Sequence, residues 1–212
     1  LPVLLRFMAE GTAPDRALVA FRRLSEALGE THWFLRMLRD SSGAAERLMR
    51  VLSSSAFIAR LLENIPDSSV WFSDEDSLIP LSKEVILEEM TAILERSVDT
   101  EQSAEAIRQV RRREVLRIAS SAVLGATTMT QIAAGLTAVT DAYLISMLNE
   151  MESKYSIDRK RIYFVGHSNG GFMSYRMACK HSDRIAAIAS LAGATFLNSS
   201  DCAAKDPVSV LQ

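Results

Sequence analysis

The chain is poor in the residues that would declare a metal site, a disulfide framework or a membrane anchor. It has only two cysteines and three histidines in 212 residues. Cys179 and Cys202 stand in no metal-like spacing, which excludes a cysteine-based metal site. They are expected to be free thiols, with one disulfide in the last third as the alternative. Neither charge sign dominates: 24 Lys and Arg against 26 Asp and Glu leave a net charge of −2, so nothing calls for nucleic acid or an acidic membrane surface as partner. No apolar run approaches a membrane span, and Leu1-Pro2-Val3-Leu4-Leu5 is too short for a signal peptide, so neither a membrane partner nor secretion is expected. The expected location is cytoplasmic. The start lacks methionine, and the chain reads as an excerpt of something longer. What remains is ordinary for a soluble globular protein, 48% hydrophobic and 24% charged, of a size for one large domain or two small ones.

Strand signals are also scarce. Residues 1–144 read as helix after helix. Pro14 and Asp15 in a first turn open a helix through Leu18, Phe21, Leu24 and Leu28, closed by Gly29. Thr31, the Ser41-Ser42-Gly43 break and Ser53-Ser54-Ser55 cap the next three, and Pro66 stops the last of them. A loop is expected over 66–80, then a helix over 82–96. Asp99-Thr100-Glu101-Gln102 fits an aspartate-capped box opening a helix to Ile118, which Gly125 interrupts. Thr128 starts another with Met129, Ile132, Leu136, Val139, Tyr143 and Met147 in register.

The strongest local signal is Val165-Gly166-His167-Ser168-Asn169-Gly170-Gly171, a G-x-S-x-G pattern. Arg161-Ile162-Tyr163-Phe164-Val165 before it reads as a strand and 171–178 after it as a helix, the setting of a nucleophile elbow. Small residues two before and two after the serine leave room for a tight strand-to-helix turn. Such a turn exposes the Ser168 hydroxyl and points the Asn169 N–H at a developing oxyanion. A working triad also needs a base and an acid. In this fold both follow the nucleophile, and after Ser168 the only histidine is His181, about 20 Å along the following helix. His167 should point to the other side of the turn.

Three features have blander readings. Arg108, Arg111, Arg112, Arg113 and Arg117 are expected as a solvated face paired with Glu105 and Glu114. Ser73-Asp74-Glu75-Asp76 contains D-x-D but lacks a Gly-Ser turn before it, and reads as a polar loop. His32, in an apolar helix without ligand partners at suitable spacing, is expected to be structural.

Phe34-Leu35-Arg36-Met37-Leu38-Arg39-Asp40, Ala45-Glu46-Arg47-Leu48, Leu52-Ser53-Ser54-Ser55, residues 112–119 and residues 136–142 together resemble the central helical region of the bifunctional glutamine synthetase adenylyltransferase/adenylyl-removing enzymes. The resemblance implies a helical segment leading into a nucleotidyltransferase domain, with glutamine synthetase as partner. The Gly-Ser turn and D-x-D that would hold Mg²⁺ and ATP are absent, so no catalytic residue of that family carries over and no cofactor is expected. Residues 157–175, with Arg184-Ile185-Ala186-Ala187-Ile188-Ala189, resemble the polyhydroxybutyrate depolymerase and feruloyl esterase branch of the α/β hydrolases. That implies Ser168 as nucleophile and the Asn169 N–H as oxyanion donor toward a small ester.

The expected architecture is a mainly α N-terminal helical array, residues 1–138, fused to a truncated α/β-hydrolase core of about three parallel strands, residues 139–212. Strands are expected near 161–165, 185–190 and 208–211. Two functions compete: a serine esterase by ancestry, inactive without its Asp and His, and a non-catalytic adenylyltransferase segment. A recombined chain without evolved function is a third reading. An unpaired sheet edge implies self-association.

Overall fold

The computed structural model describes residues 2–97 and 99–212. Leu1 of the apolar start lies outside them, but Pro2–Ala9 forms α1, an element the sequence patterning did not single out. Helices α2 (Pro14–Leu28), α3 (His32–Asp40), α4 (Ser42–Ser54) and α5 (Ala56–Asn64) follow. Then come α6 (Lys83–Arg96), α7 (Thr100–Leu124) and α8 (Met129–Lys154). Hydroxyl caps set several of the starts: Ser41 Oγ accepts from Ala44 N–H, Ser55 Oγ from Ile58 N–H and Ser82 Oγ from Val85 N–H. Thr31 does not cap α3; its hydroxyl donates to the Leu28 carbonyl instead, at 2.6 Å. Asp99 caps α7 through the Glu101 N–H. Gly125, at φ 74°, closes α7 in the left-handed conformation.

The stretch 66–80 is not an open loop. Two 3₁₀ turns, Pro66–Ser73 and Asp76–Leu78, bury Phe72 and Leu78 in the helical core. That core joins Leu24, Phe34, Leu48, Leu52 and Leu62. A second cluster unites Ile86 and Met90 of α6, Ile107, Val110 and Ile118 of α7, and Val139 and Ala142 of α8.

Two compact units divide the chain, Leu1–Ser146 and Met147–Gln212, so the division falls inside α8, past the expected boundary at 138. By length and composition α8 could cross a membrane, contrary to the expectation that no run approaches a span; a third of its most apolar stretch is buried. Its hydropathy comes from its isoleucine, leucine, valine, methionine and alanine residues. Within the first unit it supplies Val139 and Ala142 to the second cluster.

The second unit holds a three-stranded parallel sheet in the order β1 (Tyr163–His167), β2 (Ala187–Leu191), β3 (Ser209–Leu211). The ladder sets Tyr163 against Ala187 and Gly166 against Ser190. Helix α9 (Asn169–Lys180) packs on the β1–β2 side that carries Gly166 and Ser190. The opposite side leaves Tyr163, Val165, Leu191 and Leu211 exposed. A parallel sheet is normally covered on both faces, so this core is half-clad.

Candidate functional site

Ser168 stands between β1 and α9 with φ 53° and ψ −117°, a conformation side-chain-bearing residues adopt only under constraint. The constraint is local. The Ser168 N–H donates to the Leu191 carbonyl at 2.7 Å, and the Ser168 carbonyl accepts the first helical bond from Phe172 at 3.1 Å. Ala192, next along from that Leu191 carbonyl, also has φ 53°. The Asn169, Gly170 and Gly171 N–H groups belong to the first turn of α9, where no preceding helical carbonyl exists to bind them. Ser168 is exposed.

The glycines do not play the parts the pattern suggests. A Cβ on Gly166 would stand 2.0 Å from the Gly170 carbonyl oxygen, so glycine two before the serine is obligatory. A Cβ on Gly170, two after it, would meet nothing within 4 Å, which corrects the expectation of crowding there. The crowded residue is Gly171, whose Cβ would meet Ser190 Oγ at 2.6 Å and the Gly193 Cα at 2.9 Å. Ser190 Oγ is buried in this notch without a hydrogen-bond partner. Neither Gly193 nor Ser190 is marked by the motif; only the long-range contact reveals them.

No histidine joins Ser168. His167 is exposed at the end of β1, on the side away from α9. His181 lies beyond the opposite end of α9, where its N–H donates to Met177 and its carbonyl accepts from Arg184. His32 begins α3 and is exposed, outside the core.

The cysteines form a disulfide, correcting the expectation of free thiols. Cys179 on α9 and Cys202 after the Ser199–Asp201 turn have Cα atoms 4.9 Å apart across a sequence separation of 23. The pairing depends on how α9 and that turn fold together, which the spacing alone does not encode.

In the first unit the basic stretch divides. Arg108 and Arg112 share Glu105 on the exposed side of α7, at 3.0 and 2.8 Å. Arg117 instead turns inward, a correction to the solvated-face reading. Its Nε donates to Glu114 Oε2 at 3.0 Å, its Nη1 donates to the Ser77 carbonyl, and its guanidinium lies 4.1 Å from the Trp71 ring centre. The Glu114 side chain is 1% exposed and also receives Arg113 Nε at 3.3 Å. Arg113 reaches Glu89 on α6 as well. Burial pulls the Arg113 pKa down, but Glu89 and Glu114 outweigh it and leave the pKa above its ordinary value. Asp67, Ser68, Trp71, Arg113 and Arg117 line a hollow of about 310 Å³ above this network.

The acidic loop is engaged with itself. Asp74 Oδ1 accepts from the Asp76 N–H and Oδ2 from the Ser77 hydroxyl, while Glu75 pairs with Arg47 at 3.0 Å. Arg47 also donates to the Phe72 and Ser73 carbonyls.

Comparison with known proteins resolves part of this. The family model for glutamate-ammonia ligase adenylyltransferase matches residues 45–161, more than half of the chain. A model of the α/β hydrolase fold matches residues 126–207, a partial match that overlaps the first through α8 and the approach to β1. A bifunctional glutamine synthetase adenylyltransferase/adenylyl-removing enzyme of Leifsonia xyli subsp. xyli is 52% identical over 153 residues, 72% of this chain and 15% of that protein. Its counterpart from Cutibacterium acnes is 38% identical over 179 residues, 82% of this chain and 18% of that protein. The Nocardia farcinica counterpart is 40% identical over 162 residues, 73% and 16% respectively. The chain thus spans less than a fifth of the length of these relatives. No solved structure matches it. With its helical region carried by that family model over 45–161, the chain belongs to the glutamate-ammonia ligase adenylyltransferase family.

Proposed function

We propose that the chain is a non-catalytic helical segment of a glutamine synthetase adenylyltransferase, whose role is to engage glutamine synthetase. The observation that carries this is the state of the polar residues in the family-matched helices. Both oxygens of Asp74 hold their own turn, and Glu114 and Arg117 are locked together beneath Trp71. These groups brace the helical body and are engaged with one another; on this reading Mg²⁺ and ATP would be the business of a nucleotidyltransferase domain of the full-length relatives.

The test is to immobilise the purified chain and titrate glutamine synthetase, unmodified and adenylylated, alongside an assay for AMP transfer from ATP with Mg²⁺. Saturable binding without AMP transfer is expected. Transfer of AMP by the chain alone, or no binding of either form, overturns the reading.

A second reading, esterase ancestry for the last third, is favoured by the strained Ser168 turn and the first-turn N–H groups of α9 that follow it. It assigns Ser168 as nucleophile and the Asn169 N–H as oxyanion donor toward a small ester. Without a base it predicts an inert serine.

A further inference from the structure

We propose that β1 is a self-pairing edge, along which two copies of this chain join antiparallel about a two-fold axis through Val165. The backbone parity points there. The Ser168 N–H and the Ile162 carbonyl both bond toward β2. Along a strand each residue turns its N–H and C=O to the same neighbour, and successive residues alternate. Tyr163, Val165 and His167 therefore direct theirs to the outer edge, where no strand lies alongside among the described residues. Centring a two-fold on Val165 opposes Val165 to its copy and Tyr163 to His167 of the second copy. All three are then hydrogen-bonded positions, so every outward N–H and C=O of the strand is satisfied.

The strand's own residues carry none of the usual edge-blunting side chains. Tyr163-Phe164-Val165-Gly166-His167 holds no proline, lysine or carboxylate, the devices that normally blunt an edge strand. Tyr163 and Val165 are 60% and 72% exposed. The helix layer also fits. Helix α9 lies over β1 and β2, and its Tyr175 bonds Gln212 on the β3 side, which turns Met173 toward β1. With strands about 4.8 Å apart, the two copies of α9 would lie about 10 Å apart, within ordinary helix-packing distance. The 12 residues of α9 run about 18 Å, similar to the strand. A seam of that length through a sheet layer and a helix layer buries on the order of 1,000 Å² over both copies, the lower limit for a specific interface. The association is therefore weak and reversible.

The experiment is light scattering on the full chain from about 1 to 500 µM, with three variants: Val165→Lys, Val165→Cys and Leu211→Lys. Val165→Lys sets two ammonium groups face to face at the dyad but only decorates an exposed position in the monomer. Leu211→Lys alters the same bare sheet face away from the seam. Far-UV circular dichroism checks that each remains folded. The expected results are a wild-type mass rising toward twice 23.4 kDa, and a dissociation constant raised at least tenfold in Val165→Lys. Leu211→Lys should match wild type, and Val165→Cys should form a covalent dimer on mild oxidation, the opposed Cα atoms lying about 5.5 Å apart. A wild type monomeric throughout overturns the proposal. So does association that Val165→Lys leaves unchanged or Leu211→Lys abolishes, or a failure of Val165→Cys to cross-link.

Discussion

Gly166 faces the backbone of Gly170 so closely that a methyl group on its Cα would stand 2.0 Å from the Gly170 carbonyl oxygen. Backbone cannot rotate away as a side chain can. Gly166→Ala must therefore displace either β1 or the first turn of α9, and a loss of about 2–4 kcal/mol is expected for the second unit. Gly170→Ala meets open space and is expected to change stability by less than about 0.5 kcal/mol or to raise it slightly through helix propensity. Amide hydrogen exchange across 163–191 distinguishes the two. Equal effects would mean that the elbow is not packed as described.

The buried pair Glu114–Arg117 makes a second prediction. Glu114 is shielded from water and supplies the carboxylate for both Arg113 and Arg117. Removing it in Glu114→Ala strands Arg117, 10% exposed, without its partner beneath Trp71. A cost of about 3–5 kcal/mol is expected. Replacing both partners in Glu114→Met with Arg117→Met removes the stranded charge and should recover most of it. Urea midpoints of the single and double variants measure the difference.

These residues also show where the sequence was legible. Ser41 and Ser55 cap helices in the structure as their sequence positions suggest, because a cap is a local hydrogen bond between a side chain and an N–H two or three residues on. Strands expected near 161–165, 185–190 and 208–211, the first from its β-branched and aromatic residues and the others from the hydrolase resemblance, form at Tyr163–His167, Ala187–Leu191 and Ser209–Leu211, shifted by one or two residues. What local pattern could not show is anything decided at long range. Phe72 and Leu78 make 66–80 part of the core because of the helices they meet, although its serines and acids read as loop. Arg117 looks like its neighbours on α7 until Trp71 and Ser77 fold over it. Cys179 and Cys202 become partners only when α9 and the 199–201 turn come together.

Acid sensitivity follows from Glu105. Arg108, and with it Arg112, holds its carboxyl below the usual carboxylate range. A depressed folded-state pKa contributes stability that is present above the unfolded value, about 4.3 for glutamate, and is lost as pH falls through the folded value. Glu105→Gln should therefore lower the urea midpoint at pH 7 and converge with wild type as the pH falls through the depressed folded-state value. The pair is exposed, so high salt should shrink the difference. A gap between the two proteins that persists unchanged into strong acid would assign the effect to something other than the charge.

Ser168 supplies the last prediction. Its turn has the backbone form that lifts a serine clear of a sheet, and the Asn169 N–H stands at the free start of α9. A hydroxyl becomes a nucleophile only when a base takes its proton. His167 is on the side away from α9, and His181 follows the far end of that helix. Enzymes stripped of triad members keep about 10³–10⁴-fold catalysis over water from oxyanion donors and binding. Loss of one donor removes about 10²–10³ of that. With a single assigned donor and no base, turnover should sit close to background. The measurement compares the wild-type chain with Ser168→Ala on p-nitrophenyl acetate and follows the mass shift with a fluorophosphonate probe. Identical rates and no labelling are expected. Stoichiometric labelling that disappears in Ser168→Ala would mean that a base reaches the serine, and His181→Ala and His32→Ala would then identify which histidine supplies it.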